Sequence, residues 1–353
     1  MFSLNGTFTG YEKINNGHIN STYTLIFDND GHTERYVLQK INTNVFKKPD
    51  QLMSNIVAVT NHIRNKNIER NVNDPDRRTL VFLPCSNGKY YYTDESNNCW
   101  RVYLYVDNVY TCNTIDSAEI FFNAGISFGE FQNVLADFDG SSLFETIENF
   151  HNTVSRFADF KKAVDDNLSD RLHNVTEEVE FAIAREKDTH ILVDLIAESK
   201  LPLRVTHNDT KLNNILFDNE TDKGICIIDL DTVMPGLSLY DFGDSIRFGA
   251  NTAAEDEKDV SKVSLDLDLY EAYVKGYLES AKDALTDLEK ELLPFGAKLM
   301  TYECGIRFLM DYLNGDKYFH IAYDDHNLVR ARTQFALVAD MEKKMDKMLE
   351  ITK

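Results

Sequence analysis

The chain has 353 residues, 43% hydrophobic and 27% charged, with a formal net charge of −21. That profile describes a soluble globular protein with room for two cores. Such acidity argues against nucleic acid and anionic membranes as partners, and any polyanion site must bring its own lysines and arginines.

The first six residues have no charged start and no apolar stretch behind them, so no secretion signal is expected. No apolar run approaches the roughly eighteen residues of a membrane-spanning helix. A cytoplasmic monomer is expected. The five cysteines, Cys85, Cys99, Cys112, Cys226 and Cys304, are odd in number, widely spread and form no CxxC pair. That argues against both a disulfide framework and a zinc site. Cys226 and Cys304 read as core residues.

Residues 20–27 and 35–41 are rich in β-branched and aromatic side chains and flank Asp28-Asn29-Asp30-Gly31, which predicts a hairpin. Residues 51–66 carry Leu52, Ile56, Val59 and Ile63 at helical spacing. Strand-like stretches follow at 79–83, 89–93 and 100–106, with Asn87-Gly88 as a turn. Two strands, one helix and three strands predict a five-stranded antiparallel sheet with one helix on it. From about residue 117 helical periods dominate, at 117–135, 152–165, 176–185 and 190–199, and again at 265–281, 287–314 and 327–350. Leu313-Asn314-Gly315 ends one of them with a glycine cap. Short strands interrupt at 203–231. The chain is therefore read as α+β, with a sheet lobe at 1–107, a larger, mainly helical lobe at 108–353, and a hinge at 107–116.

The stretch His207-Asn208-Asp209-Thr210-Lys211-Leu212-Asn213-Asn214 has the form H-x-D-x-K-x-x-N, and Asp229 follows the apolar run Ile225-Cys226-Ile227-Ile228. Phosphoryl transfer requires an acceptor hydroxyl held in line, metal ions on the phosphates and cations on the developing charge. Asp209 suits the base, Lys211 the transferring phosphate, and Asn214 with Asp229 a metal ion. His207 reads as a loop organiser.

Upstream, Gly17-His18-Ile19-Asn20-Ser21-Thr22-Tyr23 reads either as a phosphate-holding loop or as an ordinary hairpin turn. Lys40 lies on the next strand, where a kinase places the lysine for the α- and β-phosphates. The backbone from Tyr105 to Asp107 suits an adenine ring, and the alternating aromatics there equally suit a core.

The motif, with Thr206 before it and Asp229-Leu230-Asp231-Thr232-Val233-Met234-Pro235-Gly236 and Tyr240–Gly249 after it, resembles the aminoglycoside phosphotransferase and choline kinase branch of the protein-kinase-like fold. It is most similar there to the bacterial N-acetylhexosamine 1-kinases. The resemblance implies a bilobal fold, with a small antiparallel-sheet N-lobe and a helical C-lobe, and ATP and magnesium as cofactors. It implies Asp209 as the base on a sugar 1-hydroxyl, and Asn214 and Asp229 as metal ligands. Lys40 would be the phosphate lysine, beside a nucleotide loop that includes Gly17, His18, Asn20, Ser21 and Thr22. Asp231 either adds to the metal site or orients its loop, and Asp241 braces the loop of Asp209. Phe248, Arg307 and Tyr318 would contact the sugar.

One departure stands out. Kinases often pair the phosphate lysine with a helix glutamate, yet residues 51–66 contain no acidic side chain. The acceptor also stays open on composition. Residues 311–320 offer carboxylates for a polycation and polar and aromatic groups for a neutral sugar. A kinase for choline, homoserine or an aminoglycoside, and an inactive nucleotide-binding regulator, are the alternatives.

Overall fold

The computed structural model describes residues 2–14, 20–115 and 117–353. Strands β1 (Thr7–Ile14), β2 (Ser21–Asn29) and β3 (His32–Ile41) lead into helix α1 (Pro49–Glu69), then strands β4 (Tyr92–Thr93), β5 (Cys99–Leu104) and β6 (Val109–Tyr110). Helices α2 (Ala118–Val134), α3 (Thr153–Asp166), α4 (Thr176–Ile183) and α5 (Asp188–Ala197) follow. Strands β7 (Arg204–Thr206), β8 (Ile215–Asp218), β9 (Gly224–Ile227) and β10 (Met234–Gly236) come next. The chain closes with α6 (Ser238–Gly249), α7 (Leu267–Ala281), α8 (Asp287–Leu313) and α9 (His326–Ile351).

These elements form two compact units. The first holds the chain up to Thr111 together with Asp137–Ile147 and Asn214–Pro235; the second holds the rest. The first break thus falls four residues beyond the expected 107. The reason is pairing: β6 joins β8 with Val109 opposite Asp218 in a separate three-stranded sheet, β6-β8-β9, and that sheet falls in the first unit.

The first unit is built on a five-stranded antiparallel sheet in the order β1-β2-β3-β5-β4. The β2–β3 turn is tight because Asp30 and Gly31 both adopt positive φ, the conformation that a two-residue hairpin of matching twist requires. The strand count agrees with expectation, but the membership differs. β1 carries little apolar alternation and is mostly exposed, with a bulge between Phe8 and Gly10, so its sequence gave no strand signal. The expected strand at 79–83 only makes backbone bonds to β5 (Leu83 N–H to Val102 C=O, 2.9 Å; Leu104 N–H to Val81 C=O, 3.0 Å) and is cut short by Pro84. α1 starts at Pro49 and buries Leu52, Met53, Ile56 and Val59.

The second unit packs helices. α2 and α7 cross at a glycine seam, where a Cβ on Gly125 would lie 2.4 Å from the Tyr273 carbonyl oxygen and one on Gly276 2.2 Å from that of Phe122. Backbones can approach that closely only where side chains are absent. α8 begins with a capping box in which Thr286 and Glu289 satisfy each other's backbone N–H groups. α6 was not foreseen. Leu239, Phe242 and Ile246 recur at helical spacing, but Asp241, Asp244 and Arg247 between them read as exposed polarity, and nearly all residues of α6 are buried. All five cysteines are free; Cys226 is buried and Cys304 half-buried. Among the described residues no helix is long and apolar enough to cross a membrane.

Candidate active site

In the helical unit, β7 runs into the segment His207–Lys211, and α6 grips that segment through its main chain. The buried Asp241 carboxylate accepts the N–H groups of His207 (2.9 Å) and Asn208 (2.8 Å), and Asn208 turns there at φ 63°. Asp244 accepts the N–H of Thr210 at 3.0 Å, and the Thr210 hydroxyl donates to the Asp241 carbonyl at 2.6 Å. Ser245 donates to the Thr210 carbonyl at 3.0 Å and itself accepts from the Tyr273 hydroxyl at 2.7 Å. Asp209 therefore sits between two residues whose backbones are pinned. His207 is fully buried, edge-on to Phe128 and Phe131, and its Nδ1 accepts the Asp209 N–H at 3.3 Å. That is the organising role its position suggested.

The charges follow this scaffold. Burial pushes the Asp241 carboxyl up to about 6, against the pull of His207 and the two N–H donors. Burial also works against the Asp244 charge, but Arg247 and Lys211 outweigh it and hold that carboxyl below the usual range. Arg247 reaches Asp244 through Nε and Nη2 (3.0 and 2.8 Å) and Glu255 through Nη1 (2.8 Å). Lys211 Nζ lies 2.8 Å from Asp209 Oδ1. Burial opposes its charge, and Asp209 and Asp244 more than offset that and raise its pKa. The expected base and cation are thus one ion pair.

In the sheet unit, the β8–β9 hairpin brings the two expected metal ligands to one end. The Ile228 N–H donates to the Asn214 carbonyl at 2.9 Å, and Asp229 follows at φ 60°, ψ 52°. Left-handed backbone is strained for a non-glycine residue and needs support from its surroundings. Support comes from Asp231, on the single turn Leu230–Thr232. Its Oδ1 is ion-paired with the buried Arg101 on β5, and its Oδ2 accepts from Asn20 Nδ2 at 2.5 Å. Arg101 Nε donates to Gln39 Oε1 at 2.9 Å, and Gln39 Nε2 to Thr22 Oγ1 at 3.0 Å. Of the two roles left open for Asp231, this geometry serves the orienting one.

The same register relocates the cation expected at Lys40. Gln39 stands opposite Arg101 and Thr22, whereas Lys40 stands opposite Trp100 and Ser21. Successive strand residues face opposite sides, so Lys40 and Ser21 lie on the face away from Asp231. The buried cation on Asp231's face is Arg101. Among the described residues Lys40 makes no ion pair. At the adenine position two of the backbone groups are committed: the Tyr105 N–H to the Arg35 carbonyl (3.3 Å) and the Asp107 carbonyl to Arg77 (2.9 Å). Gly17 and His18 lie outside the described residues.

The residues expected to meet the acceptor belong to the helical unit. Arg307 on α8 lies 3.7 Å from Glu303, one turn earlier, with its guanidinium 5.5 Å from the Phe150 ring centre and 5.7 Å from that of Phe319. Glu303 is buried and accepts from His151 Nδ1 at 2.9 Å. Burial opposes its charge, and His151 and Arg307 still hold its carboxyl low. Glu303 Oε2 and His151 Nε2 are buried with no partner among the described residues. The nearby carboxylates are committed elsewhere. Asp311 accepts the N–H groups of Lys317, Tyr318 and Phe319, each at 2.9 Å, and Asp316 pairs with Arg171 and Asn327. Tyr318 is 67% exposed, held out to solvent by that knot, and Phe248 is the half-buried position of α6.

Sequence reasoning missed Arg101, Gln39, His151 and Glu303. For Arg101 a signal existed: strand alternation puts it on one face with Cys99 and Tyr103, an odd place for a charge without a partner. The partner is 130 residues away in sequence, out of reach of local pattern.

Comparison with solved structures places this architecture. An aminoglycoside phosphotransferase from Alicyclobacillus acidocaldarius superposes with a TM-score of 0.61 at 12% identity, over 97% of this chain and 93% of that one. A spectinomycin phosphotransferase in complex with ADP and spectinomycin gives 0.58 at 10% identity, over 96% and 94%. An ethanolamine kinase from Plasmodium vivax gives 0.55 at 14% identity, over 91% and 80%. At these identities the likeness establishes the kinase-like fold, an antiparallel-sheet part followed by a helical part. The sequence profile of the phosphotransferase enzyme family matches residues 10–285, more than three quarters of the chain. With its H-x-D-x-K-x-x-N loop braced from α6, the chain belongs to the phosphotransferase enzyme family.

Proposed function

We propose that this small-molecule phosphotransferase moves the γ-phosphoryl group of ATP to the anomeric hydroxyl of an N-acetylhexosamine. The observation that carries the acceptor class is the disposition of charge around Arg307. A cationic acceptor such as choline or an aminoglycoside calls for free carboxylates. Here Asp311 and Asp316 are occupied by backbone and arginine, Glu303 is buried against His151, and the outward group is a guanidinium over two aromatic rings. Two unpartnered buried polar atoms, on His151 and Glu303, suit a neutral acceptor rich in hydroxyl and amide groups.

In this reading Asp209 takes the proton of the acceptor hydroxyl, and Lys211 holds the Asp209 side chain in place through their ion pair until the phosphoryl group draws its ammonium. Asn214 and Asp229 would hold magnesium, since oxygen donors suit a hard cation. Magnesium takes one or two protein ligands and completes its shell with phosphate and water, and two such donors are what this turn offers. When bound, magnesium neutralises charge on the β- and γ-phosphates. Thr22, on the Arg101 face of the sheet, and the backbone around Tyr105 and Asp107 are our candidates for the nucleotide, Phe248 and Tyr318 for flanking the sugar. The reading takes the enzyme as a cytoplasmic monomer.

The test is an ADP-release assay over N-acetylglucosamine, N-acetylgalactosamine, choline, ethanolamine, homoserine and aminoglycosides, with ³¹P NMR of the product. Turnover on an N-acetylhexosamine with phosphate on C1 is expected. Preference for a cationic acceptor overturns the acceptor assignment. Nucleotide binding without turnover on any acceptor points to a regulator instead.

A further inference from the structure

We propose that Arg101 and Asp231 form the ion pair that, in this chain, replaces the strand lysine and helix glutamate of protein kinases. Its work is to fix the turn that presents Asp229 to a magnesium-bound nucleoside triphosphate. The proposal rests on the phosphotransferase reading above, though not on the identity of the acceptor.

In kinases of the protein type the lysine–glutamate pair and the metal-binding aspartate must both be in place. The helix here cannot supply the glutamate. The buried residues of α1 include Leu52, Met53, Asn55, Ile56 and Val59, and there is no acidic side chain at 51–66. The strand lysine is on the wrong face, with Lys40 opposite Trp100. What the sheet offers instead, on the side facing the metal turn, is Arg101.

Arg101 is 2% exposed, and its Nε and Nη1 are both placed. It pairs with Asp231, donates through Nε to Gln39, touches Met53 Sδ of α1 at 3.9 Å and lies 5.7 Å from the Phe82 ring centre. Asp231 is equally saturated, with Arg101 on one oxygen and Asn20 on the other. α1 reaches the far end of the same turn through Asn55. Its amide donates to the Val233 carbonyl at 3.0 Å and to the Phe144 carbonyl at 2.7 Å. The strained Asp229 thus lies between the Asn214–Ile228 bond on one side and the Arg101–Asp231 pair on the other. Sheet, helix and metal turn are joined as the lysine–glutamate pair would join them, with the acid moved from the helix to the turn. A buried pair with this saturation holds one geometry, because neither charge can be left alone in the interior.

Arg101 and Asp231 are therefore positioning residues, and their loss should appear as a change in metal dependence. The experiment measures binding of ADP, without acceptor, as a function of magnesium concentration, alongside kcat and acceptor KM. Wild type, Arg101→Met, Arg101→Lys and Asn20→Ala are compared, with circular dichroism as the check on folding. In Arg101→Met the magnesium concentration for half-maximal ADP binding should rise about tenfold or more, as for loss of a group that orients a metal ligand. kcat should fall and acceptor KM stay near wild type, and Arg101→Lys should recover part of both losses. A folded Arg101→Met protein with unchanged magnesium dependence overturns the proposal. Should that variant fail to fold, Asn20→Ala decides, since it removes the second donor to Asp231, together with the acceptor of the Asn42 N–H, and leaves the Arg101 pair in place: a rise of about threefold supports the proposal and no rise overturns it. Wild type that binds no ADP at any magnesium concentration defeats the phosphotransferase reading itself, a different outcome.

Discussion

The segment around Asp209 is gripped by its main chain: Asp241 and Asp244 on α6 take the N–H groups of His207, Asn208 and Thr210. The turn that carries Asp229 is gripped by a side chain: Arg101 and Asn20 hold Asp231, two residues beyond. A main-chain grip is indifferent to which side chain it carries. It leaves Asp209 replaceable without disturbing the fold, and the burden falls on the carboxylates that do the gripping. A side-chain grip depends on identity at both ends. Its failure leaves a buried charge without a partner.

The largest effect should come from Asp209→Asn. Because its neighbours keep their backbone bonds, the variant should fold and bind ADP normally while kcat drops by about a thousandfold or more, the loss expected for a positioned base. Steady-state kinetics with an ADP titration checks this, and near wild-type turnover would break the base assignment. Next comes the side-chain grip. Arg101→Met should lose about 3–5 kcal/mol in urea unfolding, as when one partner of a buried pair is removed, whereas Arg101→Met with Asp231→Leu should regain most of it. Equal losses in the two proteins would mean that the pair is not what the turn relies on.

Asp241→Asn tests the main-chain grip through pH. With its carboxyl pushed up to about 6, Asp241 holds a proton in the folded protein that it has lost in the unfolded chain. Its contribution to stability is therefore fully present below about pH 4, falls as pH rises through about 6 and is constant above that, a change of roughly 3 kcal/mol at one pKa unit per 1.4 kcal/mol. The asparagine variant should lack that slope when unfolding is measured from pH 4 to 7. It should also lose activity, because an amide presents one acceptor where two N–H groups need two. The smallest effect is at the acceptor. Arg307→Ala should raise acceptor KM about tenfold with ATP KM unchanged, as for loss of uniform binding. A matching rise in ATP KM would remove Arg307 from the acceptor side.

What the sequence disclosed follows the same division. The gripped residues are local. Asp209, Lys211 and Asn214 lie within six positions, and Asp229 follows the apolar run Ile225–Ile228, so spacing alone pointed to phosphoryl transfer. The gripping residues are remote. Asp241 was reached through resemblance, while Arg101 lies 130 residues before Asp231 and reads locally as one polar interruption in an aromatic strand. α6 escaped detection because its stripe of Leu239, Phe242 and Ile246 is short and set among charges that local pattern reads as surface, and β1 because a strand exposed along most of its length has no alternation. Lys40 was chosen as the cation nearest the expected place. A strand reverses face at every residue, and only the register with Arg101 separates the face of Lys40 from that of Gln39.

The glycine seam between α2 and α7 bears on how this protein tolerates change. α2 supplies Gln132 to Asp241 and the rings of Phe128 and Phe131 to His207, so the spacing of the two helices sets the back wall of the Asp209 loop. A methyl group at Gly125 or Gly276 would meet a carbonyl oxygen at under 2.5 Å and drive the helices apart. In a saturation mutagenesis screen these two positions should behave as if they were part of the reaction, rejecting even alanine, although neither carries a group that takes part in it.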